Sequence, residues 1–320
     1  MEQGILLVNL GSPAAPTADA VADWLIEFLS DPYVVELPRL LWVPLLKWVI
    51  APRRAPIVAE LYQSIWSTRG SPLVTISQCQ AQALQQHLSD QGHQVKVVSA
   101  MRYGNPSIAS EIENLRQQCE RVQVMLQYPQ FANSTSLSSS KLIEQIIGND
   151  PSVKIIDCYP VHPGYVQALK TTIESHWQDH GRGEHLLISF HGLPERSIRR
   201  GDPYQDHCEQ TTVALVKALN LKPTDYTLSY QSRFGRARWI GPSTTDSTAE
   251  LANSGIKQLD VVCPGFSADC LETLEEISVQ LKAQFLADGG EQFRYIAALN
   301  DSTPWIEAMA DMLLPPLLEQ

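Results

Sequence analysis

Eight short apolar runs recur along this 320-residue chain, and amphipathic segments separate them. The runs are apolar enough to be buried on both faces, which is typical of strands in a parallel sheet. A chain that alternates strands with helices folds through right-handed βαβ units, so the pattern predicts an α/β protein. The predicted strands cover residues 5–10, 95–100, 122–127, 154–158, 185–190, 226–230, 259–263 and 293–297.

Two of these predicted strands, the first and the fifth, end in similar sequences. The first ends in NLGSP, residues 9–13, and the fifth ends in FHGLP, residues 190–194. The echo favours two similar, doubly wound, Rossmann-like domains, although Gly and Pro also punctuate unrelated strand ends. A chain of this length is long enough for two domains. We expect an N-terminal domain over residues 1–155 and a C-terminal domain over 156–320, with the last helix packing back on the first domain.

Composition and charge narrow the class of protein. Apolar residues make up 44% and charged residues 18%, as in a globular protein with a sizeable core. The net charge of −11 argues against nucleic-acid binding, which normally uses a basic patch. The N-terminal segment lacks the features of a signal peptide, so we expect a cytoplasmic protein. The six cysteines form no C-x-x-C pair, which predicts free thiols in a reducing compartment.

The most apolar stretch of the chain is LLWVPLLKWVI, residues 40–50. It is too short to span a membrane, which takes about 20 apolar residues, and Pro44 and Lys47 interrupt it. The residues leave two interpretations open. The stretch is either a buried helix or core strand, or an exposed apolar lip that touches a membrane or an apolar ligand.

A histidine follows the fifth predicted strand. Ligands of open α/β sheets bind beyond the carboxyl ends of the strands, so side chains in these loops are candidates for function. His191 lies at such an end. Its imidazole suits proton transfer or metal ligation, although a lone histidine in such a place more often has a hydrogen-bonded structural role.

Three carboxylates follow the seventh predicted strand. Asp269, Glu272 and Glu276 are spaced i, i+3 and i+7, so a helix that begins near residue 267 or 269 would place them on one face. Such a stripe is either a solvated first turn that suits the helix dipole, or a track for divalent cations or protons. Imidazole and carboxylates suit Fe²⁺, Zn²⁺ and Co²⁺, and they also suit general-base catalysis.

Arginine and aromatic residues occur in two further loops. Arg102 follows the second predicted strand, and Arg233, Arg236 and Arg238 precede Trp239. Guanidinium groups bind carboxylates in bidentate fashion, and aromatic rings cover flat ligands. Together they would suit a flat macrocycle with acidic side groups, but ordinary surface and packing roles fit the same residues.

Several of these motifs resemble segments of the ferrochelatases. PGFSADCLETLEEI, residues 264–277, is similar to the signature of that family, and SFHGLP and RGDPY are similar to its catalytic histidine segment. NLGSP, MRYGNP, YPQF and SRFGRARWIGPST follow the family's order, so the resemblance covers nearly the whole chain. Ferrochelatases insert Fe²⁺ into a porphyrin, usually protoporphyrin IX, and release protohaem and two protons.

The resemblance implies two similar chelatase-type α/β domains with a porphyrin cleft between them, and no required cofactor. It implies that His191 and Glu272 are catalytic and contact the metal, with Asp269 and Glu276 as an acidic relay behind them. It also places four residues in the porphyrin pocket: Leu10, Arg102, Tyr204 and Trp239.

The resemblance also bears on membrane contact and on cofactors. It favours the exposed-lip interpretation of residues 40–50, and with it peripheral membrane contact. Some family members hold a [2Fe–2S] cluster on a C-terminal cysteine extension, but this chain has no cysteine after Cys270. Its internal cysteines are dispersed, so we expect no cluster there either. Two alternatives stay open: another tetrapyrrole metal chelatase, or a non-enzymatic haem-binding protein.

Overall fold

A computed structural model of the protein describes residues 3–148, 150–235 and 237–314. The chain divides into two compact units. Unit 1 comprises Met1–Tyr128, Ala132–Cys158 and Met309–Gln320, and unit 2 comprises Pro129–Phe131 and Tyr159–Ala308. The long segment of unit 2 begins after Cys158, whereas the sequence predicts the domain boundary after residue 155. The chain also changes units around residues 129–131 and after Ala308.

Unit 1 is built on a four-stranded parallel sheet with the order β2-β1-β3-β4. The first strand lies inside the sheet, and its residues Ile5, Leu6, Leu7 and Val8 are fully buried. An unbroken apolar run of this kind needs cover on both faces of the sheet. The strands are β1 (Gln3–Gly11), β2 (Val95–Tyr103), β3 (Arg121–Leu126) and β4 (Val153–Ile156).

Helices connect the strands of unit 1. Two π-helical segments, Leu46–Ile50 and Asn133–Leu137, run directly into the α-helices that follow them. The α-helices are α1 (Ala18–Leu29), α2 (Arg39–Leu45), α3 (Ala51–Ile65), α4 (Pro72–Asp90), α5 (Ile108–Gln118) and α6 (Ser138–Ile147).

Unit 2 is also built on a four-stranded parallel sheet, with the order β6-β5-β7-β8. Its strands are β5 (His185–His191), β6 (Tyr226–Gln231), β7 (Gln258–Val262) and β8 (Gln292–Ile296). Its α-helices are α7 (Pro163–His180), α8 (Glu195–Arg199), α9 (Tyr204–Ala218), α10 (Thr244–Asn253), α11 (Lys282–Ala287) and α12 (Thr303–Leu313), the last of which continues into unit 1 from Met309. A π-helical segment, Glu272–Leu281, leads into α11 and is called the acidic helix below.

The two sheets share one plan. In each unit the first strand lies between the second and the third, and the fourth strand pairs with the third. In each unit a π-helical segment follows the third strand. The predicted fold class, two similar α/β domains on parallel sheets, is confirmed, and all eight predicted strands are present. Within the described ranges, no helix is both long and apolar enough to cross a membrane.

Candidate active site

His191 is the last residue of β5, and its side chain is half-buried. Its Nδ1 lies 2.7 Å from the main-chain oxygen of Gly192. A carbonyl oxygen can only accept a hydrogen bond, so Nδ1 carries the proton. In the neutral imidazole, Nε2 then holds the lone pair and is the atom that can accept a proton or ligate a metal.

The turn after His191 depends on a glycine. The main-chain N–H of Gly192 donates to the carbonyl of Gln231 at 2.8 Å, which joins the ends of β5 and β6. A Cβ atom on Gly192 would lie 2.8 Å from that oxygen and 3.2 Å from the ring of Trp239. A side chain at this position would not fit, so glycine is needed for the main chain after His191 to lie this close to β6.

The acidic helix carries Glu272 and Glu276 on its less buried face. Both side chains are half-buried, whereas Thr273, Glu275 and Ile277 are buried. Main-chain bonds in a π-helix join residues i and i+5, so side chains four positions apart remain nearly in line. The π-helical turn therefore keeps these two carboxylates together, as the sequence predicts for a helix.

Glu276 is held by Ser232. The main-chain N–H of Ser232 donates to Oε1 of Glu276 at 2.7 Å, and the Ser232 hydroxyl donates to Oε2. Burial raises the pKa of Glu276, while the bonds from Ser232 and the charge of His191 oppose the shift and Glu272 reinforces it. Glu276 therefore interacts electrostatically with both His191 and Glu272 within unit 2.

Asp269 does not join that stripe. The acidic helix begins at Glu272, so Asp269 precedes it, and the prediction of three carboxylates on one helix face is wrong for this residue. Its Oδ1 accepts hydrogen bonds from the hydroxyls of Tyr295 at 2.6 Å and Thr273 at 2.9 Å. Its Oδ2 accepts from Nδ2 of Asn300 at 2.7 Å. The carboxylate is buried and satisfied by these donors, which suits a structural anchor.

Two residues at the end of β6, Gln231 and Ser232, were not found from the sequence. The side chain of Gln231 is buried, and its Nε2 donates to the main-chain oxygen of Glu272 at 3.2 Å. Its Oε1 accepts from the hydroxyl of Ser189 at 2.8 Å. Their position at the carboxyl end of a parallel strand was the signal that could have found them.

Arg102 lies in unit 1 and forms an ion pair with Asp31, whose side chain is only 3% exposed. Nε of Arg102 also donates to the hydroxyl of Ser138 at 2.9 Å. The hydroxyls of Tyr103 and Ser138 donate to the same Asp31 oxygen at 2.8 and 2.6 Å. The guanidinium is thus part of a buried network, and its role in porphyrin binding stays a prediction.

The other three predicted pocket residues lie in both units. Leu10 is half-buried and packs against the core of unit 1, whereas Tyr204 is buried at the start of α9 in unit 2. Trp239 is half-buried, and its Nε1 donates to the main-chain oxygen of Phe234 at 3.0 Å. Contact of these residues with a porphyrin stays a prediction.

Two of the predicted arginines lie beside Trp239. Arg233 and Arg238 line a surface depression of unit 2 together with that ring. Nη2 of Arg233 donates to the main-chain oxygen of Ile240 at 2.7 Å. Arg236, predicted with them, lies outside the described residues.

The cysteines are all free thiols, three in each unit. Burial raises the pKa of the Cys263 and Cys270 thiols, which keeps them protonated and unreactive. In the part of the chain that the structure describes, no three His, Cys, Asp or Glu side chains are grouped so as to hold a metal ion.

The stretch at residues 40–50 exposes its apolar side chains. Leu40, Leu41 and Trp48, called the apolar lip below, are 90%, 74% and 82% exposed. Leu46 is fully buried, and Nε1 of Trp42 donates to the main-chain oxygen of Leu29 at 2.7 Å. The segment is therefore anchored by these two residues while the lip faces solvent, and the buried-helix interpretation is wrong for the lip.

The fold is shared with solved structures of α/β chelatases. SirB from Bacillus subtilis, solved with Fe³⁺, superposes with a TM-score of 0.56 over 98% of this chain and 96% of its own, at 11% identity. CbiX, described as the terminal enzyme of sirohaem biosynthesis in denitrifying bacteria, superposes with a TM-score of 0.50 over 97% and 98%, at 13% identity. At such identities the likeness concerns the fold alone.

Sequence similarity specifies the family within that class. The ferrochelatase family profile matches residues 2–315. The ferrochelatase of Aeromonas hydrophila subsp. hydrophila is 49% identical over 97% of both chains. That of Bordetella pertussis is 45% identical over 97% of this chain and 87% of its own. This chain therefore belongs to the ferrochelatase family of porphyrin metal chelatases.

Proposed function

We propose that this chain inserts Fe²⁺ into protoporphyrin IX to form protohaem, with release of two protons, at the last step of haem synthesis. The observation that carries the proposal is the electrostatic interaction of Glu276 with both His191 and Glu272, together with an Nε2 lone pair on His191 that Nδ1 does not use. Membership of the ferrochelatase family supports iron and a porphyrin as the substrates.

Metallation exchanges two pyrrole N–H protons for one Fe²⁺ ion. In the proposal, Nε2 of His191 either accepts a pyrrole proton or makes the first contact with the iron, since one lone pair serves one of these roles at a time. Glu272 assists from the same face, as a carboxylate that can contact the ion or stabilise the imidazolium.

Glu276 is proposed to carry protons away from His191. A carboxylate whose pKa is raised by burial accepts a proton more readily at neutral pH than an exposed one. Asp269 was expected in the same relay, but it precedes the acidic helix, and its buried carboxylate is bound by Tyr295, Thr273 and Asn300. We therefore assign Asp269 to anchoring the loop before the acidic helix.

The apolar lip is proposed to contact a lipid surface, because protoporphyrin and haem are both poorly soluble in water. Residues 37–59 contain four basic residues and no acidic residue, although the whole chain has a net charge of −11. Exposed apolar side chains beside basic ones are typical of segments that bind anionic membranes peripherally. The protein would then work in the cytoplasm, at the membrane surface.

The reaction is proposed to need no nucleotide and no [2Fe–2S] cluster. Ligand exchange at a ferrous ion requires no energy-rich co-substrate and no change of oxidation state. The dispersal of the six cysteines over both units also favours a cluster-free enzyme.

An anaerobic insertion assay tests the proposal. Protoporphyrin IX and Fe²⁺ are mixed with the purified protein, and the metallated product is followed by its absorbance. Rapid turnover by the wild type with severe loss in Glu272→Gln is the expected result. Glu275→Gln is the matched control, because Glu275 lies on the buried face of the same helix and accepts from Gln280.

Two outcomes would favour the alternatives. Tight binding of haem or porphyrin with no turnover would indicate a haem-binding protein. Turnover with sirohydrochlorin but not with protoporphyrin would indicate a different tetrapyrrole chelatase.

A further inference from the structure

Ser232 adopts a backbone conformation that serine rarely occupies. Its φ angle is +62°, in the left-handed region where a Cβ atom crowds the following carbonyl. In the described ranges, the other non-glycine residues with positive φ are Asn220 and Asn300, and asparagine tolerates this region well. A strained residue next to a cluster of titratable groups calls for a functional reason.

The hydroxyl group of Ser232 supplies that reason. Both oxygens of the Glu276 carboxylate are occupied by Ser232, one by its main-chain N–H at 2.7 Å and the other by its hydroxyl. Glycine would relieve the backbone strain but would supply only the N–H. Serine is thus the small residue that offers two donors from one left-handed position.

The side chain of Gln231, the preceding residue, binds the main chain of the same helix. Its Nε2 donates to the carbonyl of Glu272 at 3.2 Å, and its Oε1 accepts from Ser189 at 2.8 Å. The Ser189 hydroxyl is itself 2.8 Å from that of Thr244, and all three of these polar side chains are buried. A satisfied buried network of this kind restricts its members to one arrangement.

We infer that Gln231 and Ser232 form a positioning clamp, which fixes the acidic helix by the carbonyl of Glu272 and orients the carboxylate of Glu276. Ser232 is a positioning residue, because it contacts Glu276 and acts through it. The inference rests on the proposed function, in which Glu276 takes protons from His191. Without the hydroxyl bond, the carboxylate can rotate away from the orientation that proton transfer requires.

Ser232→Gly separates this role from a structural one. Both Ser232→Gly and Ser232→Ala lose the hydroxyl bond, but glycine also relieves the left-handed strain, so Ser232→Gly should melt at a higher temperature than Ser232→Ala. Loss of a hydrogen bond to a carboxylate should lower kcat about tenfold while KM for the porphyrin changes less than about twofold. Ser232→Ala, which keeps the strain, should lose the same activity and melt lower. Wild-type kcat in Ser232→Gly would overturn the clamp.

A double-mutant cycle tests whether Ser232 acts through Glu276. Adding Ser232→Gly to Glu276→Gln should reduce kcat no further, whereas an undiminished second loss would overturn the clamp. Wild-type kcat in Glu276→Gln would overturn both the clamp and the proposed role of Glu276, so the two failures are distinguishable. Asn220→Gly, at an exposed left-handed residue after α9, is the control and should keep wild-type kcat.

Discussion

Asp260 accepts a hydrogen bond from Nε of Arg294 at 2.7 Å, and the two side chains are 1% and 10% exposed. The same carboxylate accepts from Nε1 of Trp177 and from the main-chain N–H of Gly183, each at 2.7 Å. It thereby joins β7 to β8, to α7 and to the segment before β5. Since Asp260 accepts from all three of these donors, we infer that its ion pair with Arg294 stabilises unit 2.

Removing Arg294 should destabilise the protein strongly. Arg294→Ala leaves a buried carboxylate without its cation, which typically costs about 3–5 kcal/mol of unfolding free energy. Urea unfolding measures the loss. Arg116→Ala is the control, because its pair with Asp150 is 37% and 23% exposed and its loss should change the stability little. Equal losses in the two variants would contradict the role assigned to Asp260.

Replacing His191 should abolish most of the activity. If Nε2 serves as base or first iron contact, His191→Ala should lower kcat by about 100-fold or more. Steady-state insertion kinetics measure this, with His93→Ala as the control because that histidine is exposed. A loss within about tenfold of wild type would exclude the proposed role.

The stability contributed by Glu276 should depend on pH. Burial raises its pKa in the folded state above the ordinary value of about 4.3, so the folded protein binds this proton more tightly than the unfolded chain. The contribution is fully present below the unfolded pKa and is lost as the pH rises through the folded pKa. Glu276→Gln should therefore become more stable relative to wild type as the pH is raised from about 4 to 7. A difference in urea midpoints that is constant over this range would contradict the raised pKa.

Polar substitution of the apolar lip should weaken membrane binding. Leu40→Ser, Leu41→Ser and Trp48→Ser together remove exposed apolar surface, and co-sedimentation with anionic vesicles should fall at least about tenfold. The melting temperature should stay near that of wild type, because these side chains are solvent-exposed. Val213→Ser, at an exposed apolar residue of unit 2, is the control. Unchanged sedimentation of the triple variant would refute the lipid contact.

Substitution of Arg102 should distinguish its structural role from its predicted substrate role. Arg102→Gln leaves the buried Asp31 unpaired, and we expect a loss of about 3 kcal/mol in unfolding free energy. Asp31→Asn in the same chain should restore part of this loss, since it removes the unpaired charge. Unchanged stability with a raised KM for porphyrin would instead support direct binding of the substrate.

The strands could be predicted, and candidate site residues selected, because both depend on neighbouring residues. Eight local apolar runs sufficed for the eight strands. Since parallel strands bring functional loops to their carboxyl ends, His191, Glu272 and Glu276 could be selected as candidates. Asp269 was misplaced because the start of the acidic helix was set too early, and local spacing cannot show where a helix begins when its first turn is held by distant groups.

Only the tertiary structure shows which polar residues that are far apart in the sequence form pairs. Ser232 holds Glu276 from 44 residues away, and Asp31 meets Arg102 over 71 residues. Neither pair leaves a periodic trace in the sequence, because the free energy of a buried hydrogen bond or ion pair depends on partners that only the folded chain assembles. In this ferrochelatase-family protein, the local pattern of apolar residues determined the strands and helices. The polar groups that meet at the ends of the strands were determined by how those strands and helices pack.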